Sequence, residues 1–234
     1  MLKNEKVNII LSKERYDFND LCLILEILRG EGGCPWDREQ THESIRKNFI
    51  EETYEVIEAI DNKDTKLLRE ELGDVMLQVV FHAQMEKELG TFDMNDVAND
   101  VCSKLVHRHP HIFGDVNADT SQEVLSNWEA IKNIEKSRET VYDKLASVPA
   151  MMPALMRAGK VSKKSGEFKE LSNSEILSKI HLATEEINKN SDNIPGEKLG
   201  ELLFLISALA EKSGIDAEES LFKTTNKFVE KYKA

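Results

Sequence analysis

Glu51-Glu52-Thr53-Tyr54-Glu55 and, after a short break, Glu71-Leu72-Gly73-Asp74-Val75-Met76-Leu77-Gln78-Val79-Val80-Phe81-His82 decide how this chain folds. Both stretches read as helix. From Val75 to Met85 apolar side chains point almost all the way round, which marks a largely buried helix. Yet Glu71, Asp74, Gln78 and His82 recur at spacings of three and four, so they form one stripe along it. Ionised carboxylates on a buried helix need counter-charge, and Glu51, Glu52 and Glu55 are acids too. A divalent cation resolves the conflict. Hard oxygen ligands with no cysteine and little histidine suit magnesium or manganese better than calcium.

Outward from this centre, the first acidic helix is expected from about Glu43 to Asn62, burying Ile45, Phe49, Val56, Ile57 and Ile60. Glu51, Glu55 and Glu58 fall on its opposite side, with Glu52 at the edge of the apolar face. A glutamate-rich helix face is ordinarily a solvated surface; its pairing with the Glu71/Asp74 stripe is what argues otherwise. Asn62-Lys63-Asp64 is a turn, and the second acidic helix runs to about Glu88, ended by Gly90. Upstream, residues 1–16 read as a tail or a short strand-like arm. Leu21, Ile24, Leu25 and Leu28 give a helix from Asp17 to Arg29, stopped by Gly30 and Gly32-Gly33. The segment Cys34 to His42 is a compact loop leading into a helix, with Thr41 and Asp37 as candidate caps. Trp36 is expected to plug the loop from beneath, with substrate contact as the alternative. Cys34 has no neighbouring base in sequence, which argues against a nucleophile.

Downstream, a helix from about Asp93 to His109 carries Lys104 and Arg108 four residues apart, on one face. They are either a surface basic pair or a clamp on phosphate oxygens, for which arginine offers a bidentate fork. His107, His109 and His111 alternate, but Pro110 breaks the element and no cysteine or carboxylate completes a zinc tetrahedron. A loop follows to Thr120. A helix from Ser121 to about Ser137 carries Trp128, either core or a platform for a nucleobase. Residues 143–166, with Pro149, Pro153 and a basic run, read as a linker with one short helix. Three more helices are expected over 172–190, 195–213 and 216–233.

The composition is helix-favouring, with 32% charged and 6% aromatic residues in 234. A net charge of −12 argues against a nucleic-acid partner, though not against a nucleotide, because a bound metal inverts the local charge. No apolar run reaches the length of a membrane span, and the N-terminus lacks the apolar core of a signal peptide. Three cysteines without CxxC spacing fit a reducing, cytoplasmic setting.

The acidic helix occurs twice. Glu71-Leu72-Gly73-Asp74 matches Lys198-Leu199-Gly200-Glu201, an offset of 127 residues. At that offset Gln78 becomes Leu205 and His82 becomes Leu209, and a lysine stands where a metal ligand is needed. The partner helix around Glu185-Glu186 lacks a complete acid set in either register. The second half therefore reads as structural, regulatory or dimer-forming.

Four segments together carry a family likeness: Gly33 to His42; Glu51 to Glu55; Glu71-Leu72-Gly73-Asp74 running on to Gln84; and Arg108-His109-Pro110-His111-Ile112-Phe113-Gly114. The chain resembles the MazG-type nucleoside triphosphate pyrophosphohydrolases, closely over about 17–140 and more weakly through the C-terminal repeat. The resemblance implies an all-α fold of tandem helical modules, with four-helix bundles completed by dimerisation. Its divisions are an N-terminal tail (1–16), a catalytic module (17–140), a linker with a short helix (141–171) and a degenerate MazG-like module (172–234). It also implies magnesium-dependent hydrolysis of an NTP or dNTP to the monophosphate and pyrophosphate, in nucleotide-pool house-cleaning. Carried over, Glu52, Glu55, Glu71 and Asp74 are the metal ligands, and Glu51 orients or deprotonates water. Lys104 and Arg108 contact phosphates, and Trp128 lies near the base. Manganese is a possible substitute metal. The rival readings are a weakly catalytic nucleotide-binding or scaffold protein, and a di-iron bundle; the latter lacks its Glu-x-x-His signature.

Overall fold

The structure is a computed structural model and describes residues 3–135, 140–189 and 193–233. All regular structure among them is helical, in thirteen α-helices. They are α1 (Lys3–Leu11), α2 (Phe18–Arg29), α3 (Pro35–Glu39), α4 (His42–Asp61), α5 (Thr65–Leu89), α6 (Met94–Arg108) and α7 (Pro110–Phe113). Then come α8 (Ser121–Glu135), α9 (Val141–Ala146), α10 (Ala154–Ser165), α11 (Asn173–Lys189), α12 (Gly196–Lys212) and α13 (Ala217–Glu230). The chain divides into two compact units, Met1–Ala118 and Asp119–Ala234.

The first unit is built on the α4–α5 hairpin. Thr41 caps α4 in a reciprocal box with Ser44. The turn places Lys63 at φ 55°, and Asp64 caps α5 by accepting from the backbone N–H groups of Lys66 and Leu67. Gly90, at φ 73°, ends α5 in the left-handed conformation that favours glycine. Leu25 of α2, Ile45 of α4 and Val80, Phe81 and Met85 of α5 form the core. Gly33 is required by space: a Cβ there would lie 2.2 Å from the Leu28 carbonyl oxygen. That close approach lets the Cys34 N–H donate to the same carbonyl at 2.7 Å and folds the chain back into α3.

Arg29 holds this corner together. Its guanidinium, 7% exposed, donates two bonds of 2.9 Å to the Glu88 carboxylate. It also donates to the carbonyls of Asp37 and Gln40 and lies 5.3 Å from the Phe81 ring centre. One side chain thus ties α2, the α3 loop and the end of α5.

Several expectations are corrected. Residues 3–11 are a helix, not a strand-like arm; α1 packs on α2, with Lys6 paired to Glu26. Trp36 is exposed (57%) and is no plug; Arg29 fills that role by bonding the loop's carbonyls. Ile57 and Ile60 are exposed, as are Ile50 and Tyr54, so α4 has a second apolar side that this single chain leaves open. The stretch read as a linker contains α9 and the twelve-residue α10, which packs along α12. Gly159 lets the helices approach, its Cβ position 3.7 Å from Glu211 and 3.9 Å from the Ser207 carbonyl oxygen, with Ser162 of α10 and Ser207 of α12 both buried. In the second unit Phe168, Ile176 and Ala208 form the core, and α11 packs against α12. The end of α8 expected at Ser137, and the start of the break after α11 at Asn190, lie outside the described residues.

Replacing Arg29 with alanine removes donors from two backbone carbonyls and one carboxylate. The expected loss of stability is roughly 1.5–3 kcal/mol, the range for hydrogen bonds involving a charged group. Urea unfolding of the variant measures it, and an unchanged midpoint would refute the keystone role.

Candidate active site

The antiparallel packing of α4 on α5 brings two acidic pairs together. Glu52 and Glu55, three residues apart, share a face of α4; Glu71 and Asp74, also three apart, share a face of α5. Carboxylate oxygens of Glu52, Glu55 and Glu71 lie within 4.8 Å of one another. Among the described residues this is the one cluster of three or more such ligands close enough to share a cation. Glu71 is buried, Glu52 half-buried and Glu55 exposed. Asp74 is outside the three-residue cluster, but its charge acts on both Glu52 and Glu71.

The electrostatics are those of acids forced together. Burial first, then the Asp74 charge and the neighbouring Glu55, push the Glu52 carboxyl above its ordinary range. Burial, followed by the Glu55 and Asp74 charges, does the same to Glu71. One turn beyond Asp74, Gln78 is 7% exposed, and its Oε1 has no hydrogen-bond partner. A buried orphan acceptor beside like-charged carboxylates is a poor arrangement for a packed core. It suits a cation with its hydration shell: the donors are all hard oxygens, as magnesium and manganese require.

The other expected site residues are placed less tightly. Glu51 is exposed and sits about 100° round the helix from Glu52. Lys104 is exposed on α6, whereas Arg108, at the last turn, is buried; α6 packs on α5. Trp128 stands on α8, in the second unit, with the Lys132 ammonium 4.4 Å from its ring centre. The His109 ring N–H donates to the Leu105 carbonyl at 2.6 Å, so that imidazole serves the end of α6.

Periodicity puts His82 on the polar stripe but does not reveal its partners. His42 Nδ1 lies 2.6 Å from His82 Nδ1, and His42 Nε2 lies 2.7 Å from a Glu86 oxygen. The other Glu86 oxygen accepts from the Thr91 hydroxyl. The available signal was Glu86, four residues past His82 on the same stripe.

In the second unit the matching position carries its own positive charge. The Lys198 ammonium is 2.7 Å from Glu186 of α11 and 3.1 Å from Glu201 of α12. The two carboxylates hold the lysine well above its ordinary range. No ion is needed there, and the stripe continues as Leu205 and Leu209.

Residues 40–113, which span α4, α5 and α6, match the MazG nucleotide pyrophosphohydrolase domain. The chain is 39% identical over 222 residues to the nucleoside triphosphate pyrophosphohydrolase of Escherichia coli K12, covering 91% of this chain and 84% of the relative. It is 40% identical over 219 residues to the nucleoside triphosphate pyrophosphohydrolase/pyrophosphatase MazG of Thermotoga maritima, covering 92% and 84%. The Mycobacterium tuberculosis nucleoside triphosphate pyrophosphohydrolase is 39% identical over 144 residues, covering 61% and 42%. With its acidic helix pair, its all-α fold and relatives matched along most of its length, the chain belongs to the MazG family of nucleotide pyrophosphohydrolases.

Proposed function

We propose that this protein hydrolyses nucleoside and deoxynucleoside triphosphates to the monophosphate and pyrophosphate, with Mg²⁺ held by Glu52, Glu55, Glu71 and Asp74. The observation that carries the reading is the convergence of three of these carboxylates within 4.8 Å across two helices. A divalent cation there supplies counter-charge to the phosphate oxygens and acidity to a neighbouring water; Mn²⁺ meets the same ligand requirement. The chain's residues do the rest. Glu51 orients the attacking water and takes its proton. The water's oxygen bonds to the α-phosphorus as the bond to the bridging oxygen breaks, and pyrophosphate leaves with that electron pair. Lys104 and Arg108 balance charge on the phosphate tail, and the family resemblance assigns Trp128 to the base. Such a platform reads ring shape more than base edges, which fits a broad, pool-clearing role in the cytoplasm. No helix among the described residues is long and apolar enough to cross a membrane.

The reading includes a homodimer. Ile50, Tyr54 and Ile57 on α4 and Leu72 and Met76 on α5 are between 44% and 58% exposed in the single chain. A second hairpin laid on this face would complete a four-helix bundle. The Lys198 clasp supports a structural role for the second unit.

The electrostatics give a pH-dependent test. Because Glu52 and Glu71 have raised pKa values, the folded chain keeps protons that the unfolded chain releases. The cluster therefore costs no stability below the ordinary glutamate range, and stability is lost as pH rises through the raised values. A cation displaces those protons. The Mg²⁺-induced rise in Tm is expected to be small near the ordinary glutamate pKa and to grow towards neutral pH. A rise that does not change with pH would contradict the assignment. Glu52→Gln is expected to cut turnover by roughly 100-fold or more while leaving the helical circular dichroism intact, since the metal contributes several kcal/mol to this chemistry. Retained turnover would remove Glu52 from the site. Sedimentation of Tyr54→Lys/Ile57→Lys is expected to show monomers where the unaltered chain shows dimers; identical behaviour would move the interface elsewhere.

A further inference from the structure

The carboxylate cluster occupies only part of the α4–α5 interface. His42, Ile45, Phe49 and Glu52 follow one another at spacings of three and four on α4, and Glu71, Asp74, Gln78, His82 and Glu86 do so on α5. These are facing stripes of one antiparallel pair. The hairpin turn closes one end. The other end has no covalent closure, and there the interface ends in polar groups: Glu86, His42 and His82 in a continuous line of 2.7 and 2.6 Å contacts. The two imidazoles are parallel to within 2°, and the Phe49 ring centre lies 6.0 Å from that of His82.

We propose that His42 and His82 are positioning residues: with Glu86 they form a proton-sharing latch that closes the open end of the α4–α5 hairpin and so sets the spacing of the carboxylates further along it. The inference rests on the metal-site reading above.

Proton counting shows when the latch holds. In its neutral form His42 donates through Nε2–H to Glu86, leaving Nδ1 as an acceptor for His82 Nδ1–H. Adding one proton places N–H groups on both nitrogens of His42; Nδ1–H then donates to a bare His82 Nδ1, which leaves the His82 proton on Nε2. Both hydrogen bonds survive in either form. A second proton puts N–H groups face to face across 2.6 Å. The contact must then break, leaving this end of the hairpin held by Ile45 and its core neighbours without the polar closure.

The surroundings favour the first two states. Burial and the His42 charge push His82 below its ordinary range, while the Thr91 hydroxyl and His42 keep Glu86 ionised to lower pH. The other charged groups nearby are engaged elsewhere or lie outward. On α4, Glu43 and Arg46 are exposed. On α5, Lys87 binds Glu26 and Glu88 binds Arg29, both of α2. Asp93 and Asp96 cap α6. The latch is thus expected to be closed at neutral pH and to open in acid as His82 protonates.

Mn²⁺ binding to the full chain, followed by its paramagnetic resonance signal, tests this without turnover. His82→Leu removes the contact and is expected to bind Mn²⁺ roughly tenfold more weakly at about pH 8, as loss of a ligand-orienting group does, with helix content unchanged. His82→Gln can bond to His42 but does not titrate. It is expected to match the unaltered chain near pH 8 and to bind more tightly than it in acid, once the pH falls through the lowered range in which His82 takes its proton and the latch opens. Wild-type affinity in His82→Leu, or identical pH curves for His82→Gln and the unaltered chain, would overturn the latch. Glu52→Gln serves as the control. If it weakens Mn²⁺ binding and the His82 variants do not, the latch alone fails; if it does not, the metal-site reading fails and the latch proposal falls with it.

Discussion

Like charges held together across two helices are the constraint on which this molecule depends. Glu52, Glu55 and Glu71 are brought within a few ångströms by packing that has nothing to do with charge: Ile45 on α4 and Val80, Phe81 and Met85 on α5 make the hydrophobic contact. Burial of apolar area overcomes electrostatic repulsion, and two carboxyls respond by holding protons above their usual range. A folded protein that tolerates such a cluster stores affinity for a cation, because metal binding relieves the repulsion that folding imposed.

The rest of the first unit keeps that hairpin in register. Asp64 starts α5 and Gly90 ends it, Gly33 permits the sharp return into the α3 loop, and Arg29 joins loop and helices through a fork that lysine could not reproduce. The second unit solves the same electrostatic problem differently. Lys198 places an ammonium between Glu186 and Glu201, so the charge balance is covalently built in. There α11 packs on α12, and the positions that align with Gln78 and His82 are Leu205 and Leu209.

Much of this was legible in the sequence because it lies in periodicity. The spacing of Glu71, Asp74, Gln78 and His82 marked the stripe, and Gly30, Thr41 and Gly90 marked the end of α2, the start of α4 and the end of α5. Type and spacing marked five carboxylates, the family resemblance singled out Glu52, Glu55, Glu71 and Asp74 among them, and the structure brings three of these four together. What escaped notice depends on contacts between distant segments. Nothing local says that Arg29 bonds Glu88, 59 residues away, or that His42 meets His82 across 40. Trp36 was misjudged because a large aromatic beside proline suggests burial, yet a cation took the interior of that loop. Ile57 and Ile60 satisfied the helical pattern for a core but stand exposed, since periodicity identifies an apolar face and not what covers it. Residues 154–165 were obscured by lysines that crowd one end of a helix whose glycine and serine pack inward.

In the proposed reaction the acidic pair of helices directs water to the α-phosphorus. Hydrolysis of a nucleoside triphosphate with Mg²⁺ in heavy-oxygen water, followed by mass analysis of both products, tests it most directly. The account requires the heavy oxygen in the nucleoside monophosphate and none in pyrophosphate. Label in pyrophosphate, or release of orthophosphate with a labelled terminal phosphate, would place the attack at another phosphorus and contradict the account.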